Sequence, residues 1–164
     1  MIGSIDIGTI NFAFVIYDPI SQHMVHAVKE NTRLTDIWSV ICLLEQHKTW
    51  WDQCSVILVE KQMKVNPRAC AVSQQVMTWF WTVYGPFKTI VEYPSQNKTR
   101  MLGCPKELRR KKKDRKNWCT EYAIRIMVER SDPWLPWVAS LRKKDDVCDC
   151  LCQALSYKFN LHKK

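Results

Sequence analysis

Four carboxylates in this chain stand where an acid is costly. Asp6 lies inside the opening apolar run MIGSIDIGT, and Glu60 ends a second apolar run, SVILVE. Asp146 and Asp149 open the last helical segment as DDVCD. A buried carboxylate is unfavourable unless a cation or hydrogen bonds compensate it. Several of them, drawn from different core segments, read best as an oxygen cage for hard divalent cations. Ions held in that way can activate water and neutralise the charge of a phosphodiester under attack. A His or Cys nucleophile is not required for this chemistry, and His23, His26, His47 and His162 receive no role.

The elements that must position these acids follow from the hydrophobic pattern. Residues 2–8, 12–17 (FAFVIY) and 23–29 (HMVHAVK) read as a three-stranded meander. Gly8 and Asn11 sit at the first turn, and Asp18-Pro19 at the second. Asn11 and Thr9 either support Asp6 from behind or serve turn chemistry alone. Leu34, Ile37, Trp38, Ile41 and Leu44 have helical spacing, with Asn31-Thr32 as a cap. Residues 55–60 form a fourth strand, apolar on both faces and so expected in a covered, mostly parallel position. Asn66 caps the next helix and Pro67 opens it. One stripe of that helix is Ala69, Val72, Val76, Trp79, Phe80 and Val83; a second is Cys70, Met77, Trp81 and Tyr84. It is either a central core helix or one packed on both its own sheet and a second subunit. A fifth strand spans 87–93, and a helix spans about 115–130. The segment DPWLPWV reads as an irregular loop, and the last helix spans 145–157 with Asp145 as N-cap. The order βββαβαβ followed by helices implies an α/β fold around a mixed five-stranded central sheet flanked by helices. The first and fourth strands are then central neighbours, with Asp6 facing Glu60. Asp146 and Asp149 share a helical face at i, i+3 spacing.

Composition narrows the partners. The 164 residues fit a single domain, 1–164, and 46% of them are apolar, enough for a core. Net charge is +9, yet residues 106–116 (KELRRKKKDRK) hold eight basic and two acidic side chains, so the excess is concentrated there. Such a run points to phosphate backbone, against the plainer readings of a solvated loop or a nuclear-import signal. Eight cysteines are present without a CxxC pair. Cys148, Cys150 and Cys152 alternate along a helix and cannot all share one face, which argues against zinc. The N-terminal run contains Asp6 and lacks a basic leader, so no signal peptide is expected. No apolar stretch is long enough for a membrane span. Free thiols in a reducing intracellular compartment fit best.

The order Asp6 in a first strand, Glu60 ending a fourth and DxxD on a last helix resembles the RNase H-like nucleases, and more narrowly the RuvC-like Holliday junction resolvases. EKQMKVNPRACAVSQQV is similar to that group's catalytic glutamate, following loop and dimer helix. SIDIGTINFAFVIYD, LVEKQ, VEYPSQNKTRMLG, a lysine-rich stretch and KKDDVCDCL together most resemble the poxvirus-type resolvases, over residues 3 to about 157. The resemblance implies an RNase H-like fold and an endonuclease that makes paired symmetric nicks in four-way DNA junctions, resolving viral replication intermediates. It also implies a homodimer acting in the host cytoplasm. Its catalytic and metal-binding acids fall on Asp6, Glu60, Asp146 and Asp149. Asp145 is an alternative to Asp146, which is preferred for its DxxD spacing. The implied cofactor is Mg²⁺, two ions per site about 3.5–4 Å apart, with Mn²⁺ as a substitute. Asp6 bridges them, Glu60 and Asp149 flank it, and Asp146 completes one shell. DNA contacts are expected from Lys61, Met63, Lys64, Lys98, Arg100, Arg109, Arg110, Lys111, Lys112 and Lys113. Met63 reads as a wedge at the crossover or as a core residue.

Rival readings keep part of this picture. One is a related nuclease acting on hybrids or flaps. Another is a non-catalytic module binding branched nucleic acid. The run DIGTINFAF also resembles the phosphate loop of actin-like ATPases and sugar kinases, but those need two such domains and a longer chain.

Overall fold

The computed structural model describes residues 1–8, 10–30 and 36–161. Three antiparallel strands come first: β1 (Ile2–Ile7), β2 (Phe12–Tyr17) and β3 (Met24–Glu30). The helices α1 (Ile37–Gln46) and α2 (Lys48–Asp52) lead into β4 (Val56–Glu60). Then come α3 (Pro67–Tyr84), β5 (Thr89–Tyr93), α4 (Ser95–Met101), α5 (Lys112–Glu129), α6 (Leu135–Ser140) and α7 (Asp145–Leu161). The sheet order is β3-β2-β1-β4-β5. Antiparallel pairs join β1 to β2 and β2 to β3, and parallel pairs join β1 to β4 and β4 to β5. The expected mixed five-stranded sheet, with β1 and β4 adjacent, is what forms. Among the described residues no helix is long and apolar enough to cross a membrane.

Strand periodicity sorts two cores onto opposite faces of the sheet. Ile5, Ile7, Phe12, Phe14, Ile16, Ile57 and Val59 pack under α1 and α3. Ile2, Ala13, Val15, Tyr17 and Leu58 face α5 and α7. Asp6 shares a parity with Ile2, and Glu60 with Leu58, so both acids turn towards α7. That helix packs against β1 and β2, where Ser4 and Ala13 are small. Ser4 Oγ donates to the Cys150 carbonyl at 2.8 Å. The buried Gln153 amide donates to the carbonyls of Leu58 at 3.2 Å and Ile5 at 3.4 Å. These bonds set the rotation of α7, and with it the direction of Asp149.

Several expectations change. The buried stripe of α1 is Val40, Leu43 and Leu44, while Ile37 and Trp38 are exposed. The helix starts at Ile37 under an Asp36 cap, whose side chain accepts from the Ser39 amide. The cap at Asn31-Thr32, the contribution of Leu34 and the roles weighed for Thr9 and His162 fall outside the described residues. Asn66 does cap α3, accepting from the Ala69 amide, with Pro67 in the first turn. That helix is not enclosed on all sides: Ala69, Val72, Val76, Trp79 and Phe80 are buried, but Trp81 is half exposed. The central-core reading therefore fails. The DPWLPWV segment is not wholly irregular, since Leu135–Ser140 is helical with Pro136 in the first turn, where its missing N–H costs nothing. Helix α5 begins at Lys112, so part of the basic run is helical. Asp145 is not the cap of α7: it lies inside the first turn, and the Lys144 carbonyl accepts the first helical bond from Cys148. All three alternating cysteines of α7 are buried, because that helix is enclosed by the sheet, α4 and α5.

Candidate active site

Register brings the first two acids together. Ile5 pairs with Val59, so Asp6 and Glu60 follow side by side at the ends of two parallel strands. Just beyond Asp6, an added Cβ at Gly8 would lie 2.3 Å from the Asn11 carbonyl oxygen, so the turn closes only around glycine. Helix α7 supplies Asp149 from above, and Asp146 one turn earlier. All four acids line one cleft of about 310 Å³, together with Asn11, Met63, Lys98, Lys116 and Lys143.

A cation already sits among three of them. Lys98, on α4, is 6% exposed. Its ammonium lies 2.9 Å from Glu60 Oε1 and 3.2 Å from Asp149 Oδ2. Burial, and next the charge of Glu60, push the Asp6 carboxyl well above the usual carboxylate range. The hydrogen bond between the two carboxyls raises Asp6 and lowers Glu60. Burial raises Glu60 too, but the Lys98 charge and the Asp6 hydrogen bond outweigh it and leave Glu60 lowered. Asp149 stays raised, because burial exceeds the relief from Lys98. Burial disfavours the ammonium, yet Glu60, Asp149 and Asp6 hold Lys98 well above its ordinary value. Lys98 offsets part of the negative charge of Glu60 and Asp149.

Asp146 has a different surrounding. Its Oδ2 lies 3.1 Å from Lys143 Nζ and 3.7 Å from Lys29 Nζ, and its Oδ1 lies 3.8 Å from Lys116 Nζ. None of these contacts has hydrogen-bond geometry at Oδ2, which is buried without a hydrogen-bond partner among the described residues. Asp145 faces away from the acid cleft, into a neighbouring groove, and hydrogen-bonds to Lys116. Between the two, Asp146 is the one that lines the cleft.

The donor set fits a hard divalent cation: carboxylate oxygens only, from two strand ends and one helix face, including one orphaned oxygen. Their present spacing is set by Lys98, and among the described residues no three His, Cys, Asp or Glu side chains stand ready to hold a metal ion.

The residues expected to touch DNA separate into groups. Lys98 lines the cleft but is largely buried there, paired with Glu60 and Asp149. Lys61 is exposed and pairs with Glu92 at 3.2 Å. Met63 is 68% exposed at the cleft, so the core reading fails for it. Lys64, Arg100, Arg110, Lys111, Lys112 and Lys113 are exposed, and Arg109 is half-buried. The sequence reading missed Lys29, Arg115, Lys116 and Lys143, all close to the acids. Lys112, Lys116 and Cys119 follow i, i+4, i+7 and all line the cleft, a spacing that was present in the sequence. A groove of about 700 Å³ on one side is lined by Lys112, Lys113, Lys116, Arg142, Lys143 and Lys144, among others.

No protein-family model matches the chain. It is 31% identical over 140 residues to uncharacterized protein 170L of Invertebrate iridescent virus 6, covering 74% of this chain and 57% of that protein. It is 35% identical over 115 residues to uncharacterized protein 97L of Invertebrate iridescent virus 3, covering 70% and 53%. The chain thus spans little more than half the length of these curated relatives. Among solved structures, a Fowlpox virus resolvase in complex with Holliday junction DNA superposes with a TM-score of 0.69 at 20% identity, over 98% of this chain and 97% of that one. Thermus thermophilus RuvC superposes at 0.65 and 12% identity, over 99% and 95%. The chain has the RNase H-like fold of these resolvases.

Proposed function

We propose that the chain is a Holliday junction resolvase of the poxvirus type: a metal-dependent endodeoxyribonuclease that makes paired, symmetric nicks in four-way DNA junctions. The observation that carries this reading is the convergence of Asp6, Glu60, Asp146 and Asp149 in one cleft bordered by cation-lined grooves. The shared fold supports it, since a protein superposing at TM-score 0.69 was solved with junction DNA. Asp6, Glu60, Asp146 and Asp149 would hold divalent ions, and Mg²⁺ is the cation such oxygen donors suit, Mn²⁺ serving as a substitute. When bound, a pair of such ions lowers the pKa of water and neutralises the scissile phosphate.

The chain's own residues prepare the site. Lys98 keeps Glu60 and Asp149 within one charge cluster. Burial and the neighbouring Glu60 disfavour the ionised form of Asp6, which a bound cation would favour. Lys29, Lys116 and Lys143 surround Asp146 and draw an anionic strand towards the cleft. Met63, exposed at the rim, is placed to press against unstacked bases at a crossover. Two matched nicks call for two sites, which a symmetric dimer provides. Exposed Ile37 and Trp38 on α1 and Trp81 on the adjoining α3 offer an apolar surface for a second copy.

The test is cleavage of a symmetric four-way junction in Mg²⁺, beside an RNA–DNA hybrid and a flap, with Asp6→Asn and Glu60→Gln as controls. Junction-selective nicking that both variants lose is the expected result. Preference for the hybrid or flap would move the protein to another nuclease class. Junction binding without cleavage would make it a binding module.

A further inference from the structure

A second cavity adjoins the acid cleft. It measures about 340 Å³ and is lined by Arg100, Lys106, Arg109, Arg110 and Arg115, with Thr99 and Gln96. No carboxylate lines it. Near the cleft Lys98, Lys116, Lys29, Lys143 and Lys61 each lie within 4 Å of an acid, while among the described residues the exposed Lys112 does not. Among the described residues, none of the five cations in this cavity has an acidic partner.

The cavity is built by local structure, not by loose side chains alone. The guanidinium of Arg115 donates from Nη1 to the Arg109 carbonyl at 3.2 Å, tying α5 to the preceding turns. Arg100 donates to Asn97 Oδ1 at 3.0 Å within α4. Arg109 Nε is buried and has no hydrogen-bond acceptor among the described residues. A buried guanidinium N–H without an acceptor is unfavourable, and so is the convergence of five like charges. An anion with several oxygens relieves both. Four of the five cations are arginines, whose planar forks match phosphate geometry better than a point charge does.

Position selects the source of that phosphate. Thr99 and Arg115 line both this cavity and the acid cleft. A strand whose scissile phosphate lay over the acids would run its adjoining phosphate into the arginines. We propose that this cavity seats a single backbone phosphate of the substrate strand, next to the scissile one, and fixes where along the strand the cut falls. The assignment rests on the nuclease reading above.

The experiment replaces one phosphate at a time by an uncharged methylphosphonate around the cut site and measures junction binding in EDTA. In the unaltered protein, one position should weaken binding roughly tenfold, the size of one charge-assisted contact. In Arg100→Gln combined with Arg109→Gln, the same replacement should cost almost nothing, and the salt slope should fall by about one. Arg100→Gln alone, at an exposed side chain, should give part of the effect if the double variant does not fold. A penalty equal in both proteins at every position overturns the assignment. Inorganic phosphate is the second arm. If it raises the melting temperature only when the arginines are present, while no methylphosphonate position couples to them, the cavity holds a free anion and the strand assignment is wrong. Failure of the unaltered protein to bind the junction at all would instead sink the nuclease reading, and the proposal with it.

Discussion

Lys98 Nζ lies 2.9 Å from Glu60 Oε1, with both side chains largely shielded from water. Breaking such a pair from one side leaves a buried charge behind, which costs about 3 kcal/mol or more. Lys98→Met should therefore lower the melting temperature in EDTA. It should also tighten Mn²⁺ binding, because an ammonium no longer competes for Glu60 and Asp149. Lys98→Arg should keep more of the metal-free stability. Calorimetric titration with Mn²⁺ and thermal melts in EDTA check both; a lower melting temperature with unchanged Mn²⁺ affinity would assign Lys98 to packing alone.

Asp6→Asn should separate stability from metal binding. The Asp6 pKa is raised in the folded protein, chiefly by burial and then by Glu60, so the folded state binds more protons than the unfolded one above pH 3.8. Its contribution to stability is fully present below that value and is lost as pH rises through the folded pKa. The asparagine variant removes this liability, so its stability relative to the unaltered protein should improve from acid to neutral pH. Its stabilisation by Mg²⁺ should vanish. Urea denaturation at several pH values, with and without Mg²⁺, reads both effects.

The opposite sign applies to His26. Its ring stacks on Trp50 at 4.2 Å, meets Trp134 edge-on, and leaves Nε2 buried without a partner among the described residues. Burial, and next the neighbouring His47, hold its pKa below 6.5. Stability from this group is present above 6.5 and is lost as pH falls through the folded value. His26→Phe should flatten the acid limb of a stability profile in that window; an unchanged limb would place the loss elsewhere.

Gln153 tests the seating of α7. Gln153→Leu leaves the carbonyls of Leu58 and Ile5 without their side-chain donor and should cost about 1–3 kcal/mol. Because Asp149 rides on the same helix, cleavage should fall further than stability alone explains. Equal loss in a distant variant of matched stability would show that α7 tolerates the shift.

Native-state alkylation should find few thiols. Cys42 is exposed and Cys70 partly so, while the other six described cysteines are buried. Burial raises Cys54 and Cys148 to about 12, keeping both as unreactive thiols. Rapid modification of Cys42, slower modification of Cys70 and protection of the rest until denaturant is added is the expected mass-spectrometric pattern.

Much of this architecture was legible because β-strands write their faces in alternate residues. Asp6 and Glu60 broke that pattern at adjacent strand ends, and Asn66-Pro67 marked the start of α3 without ambiguity. Short helices left weaker traces. The segments α2, α4 and α6 have five to seven residues, too few to show a period. Missing α4 had the largest consequence, since a lysine after Pro94 reads as a surface charge unless a helix turns it inward. The face of α1 was misjudged because Trp38 and Ile37 are as apolar as the residues that pack. Nothing in one sequence says whether an exposed tryptophan awaits a partner. The match of Lys29 and Lys116 to Asp146 was equally hidden, because ion pairs between distant segments have no local signature.

The acids enter the cleft from β1, β4 and α7, so half of the set arrives only with the last helix. A polypeptide interrupted between Glu60 and Asp145 carries Asp6 and Glu60 but lacks both carboxylates that α7 supplies. The four-acid cluster is therefore complete only once α7 is seated on the sheet.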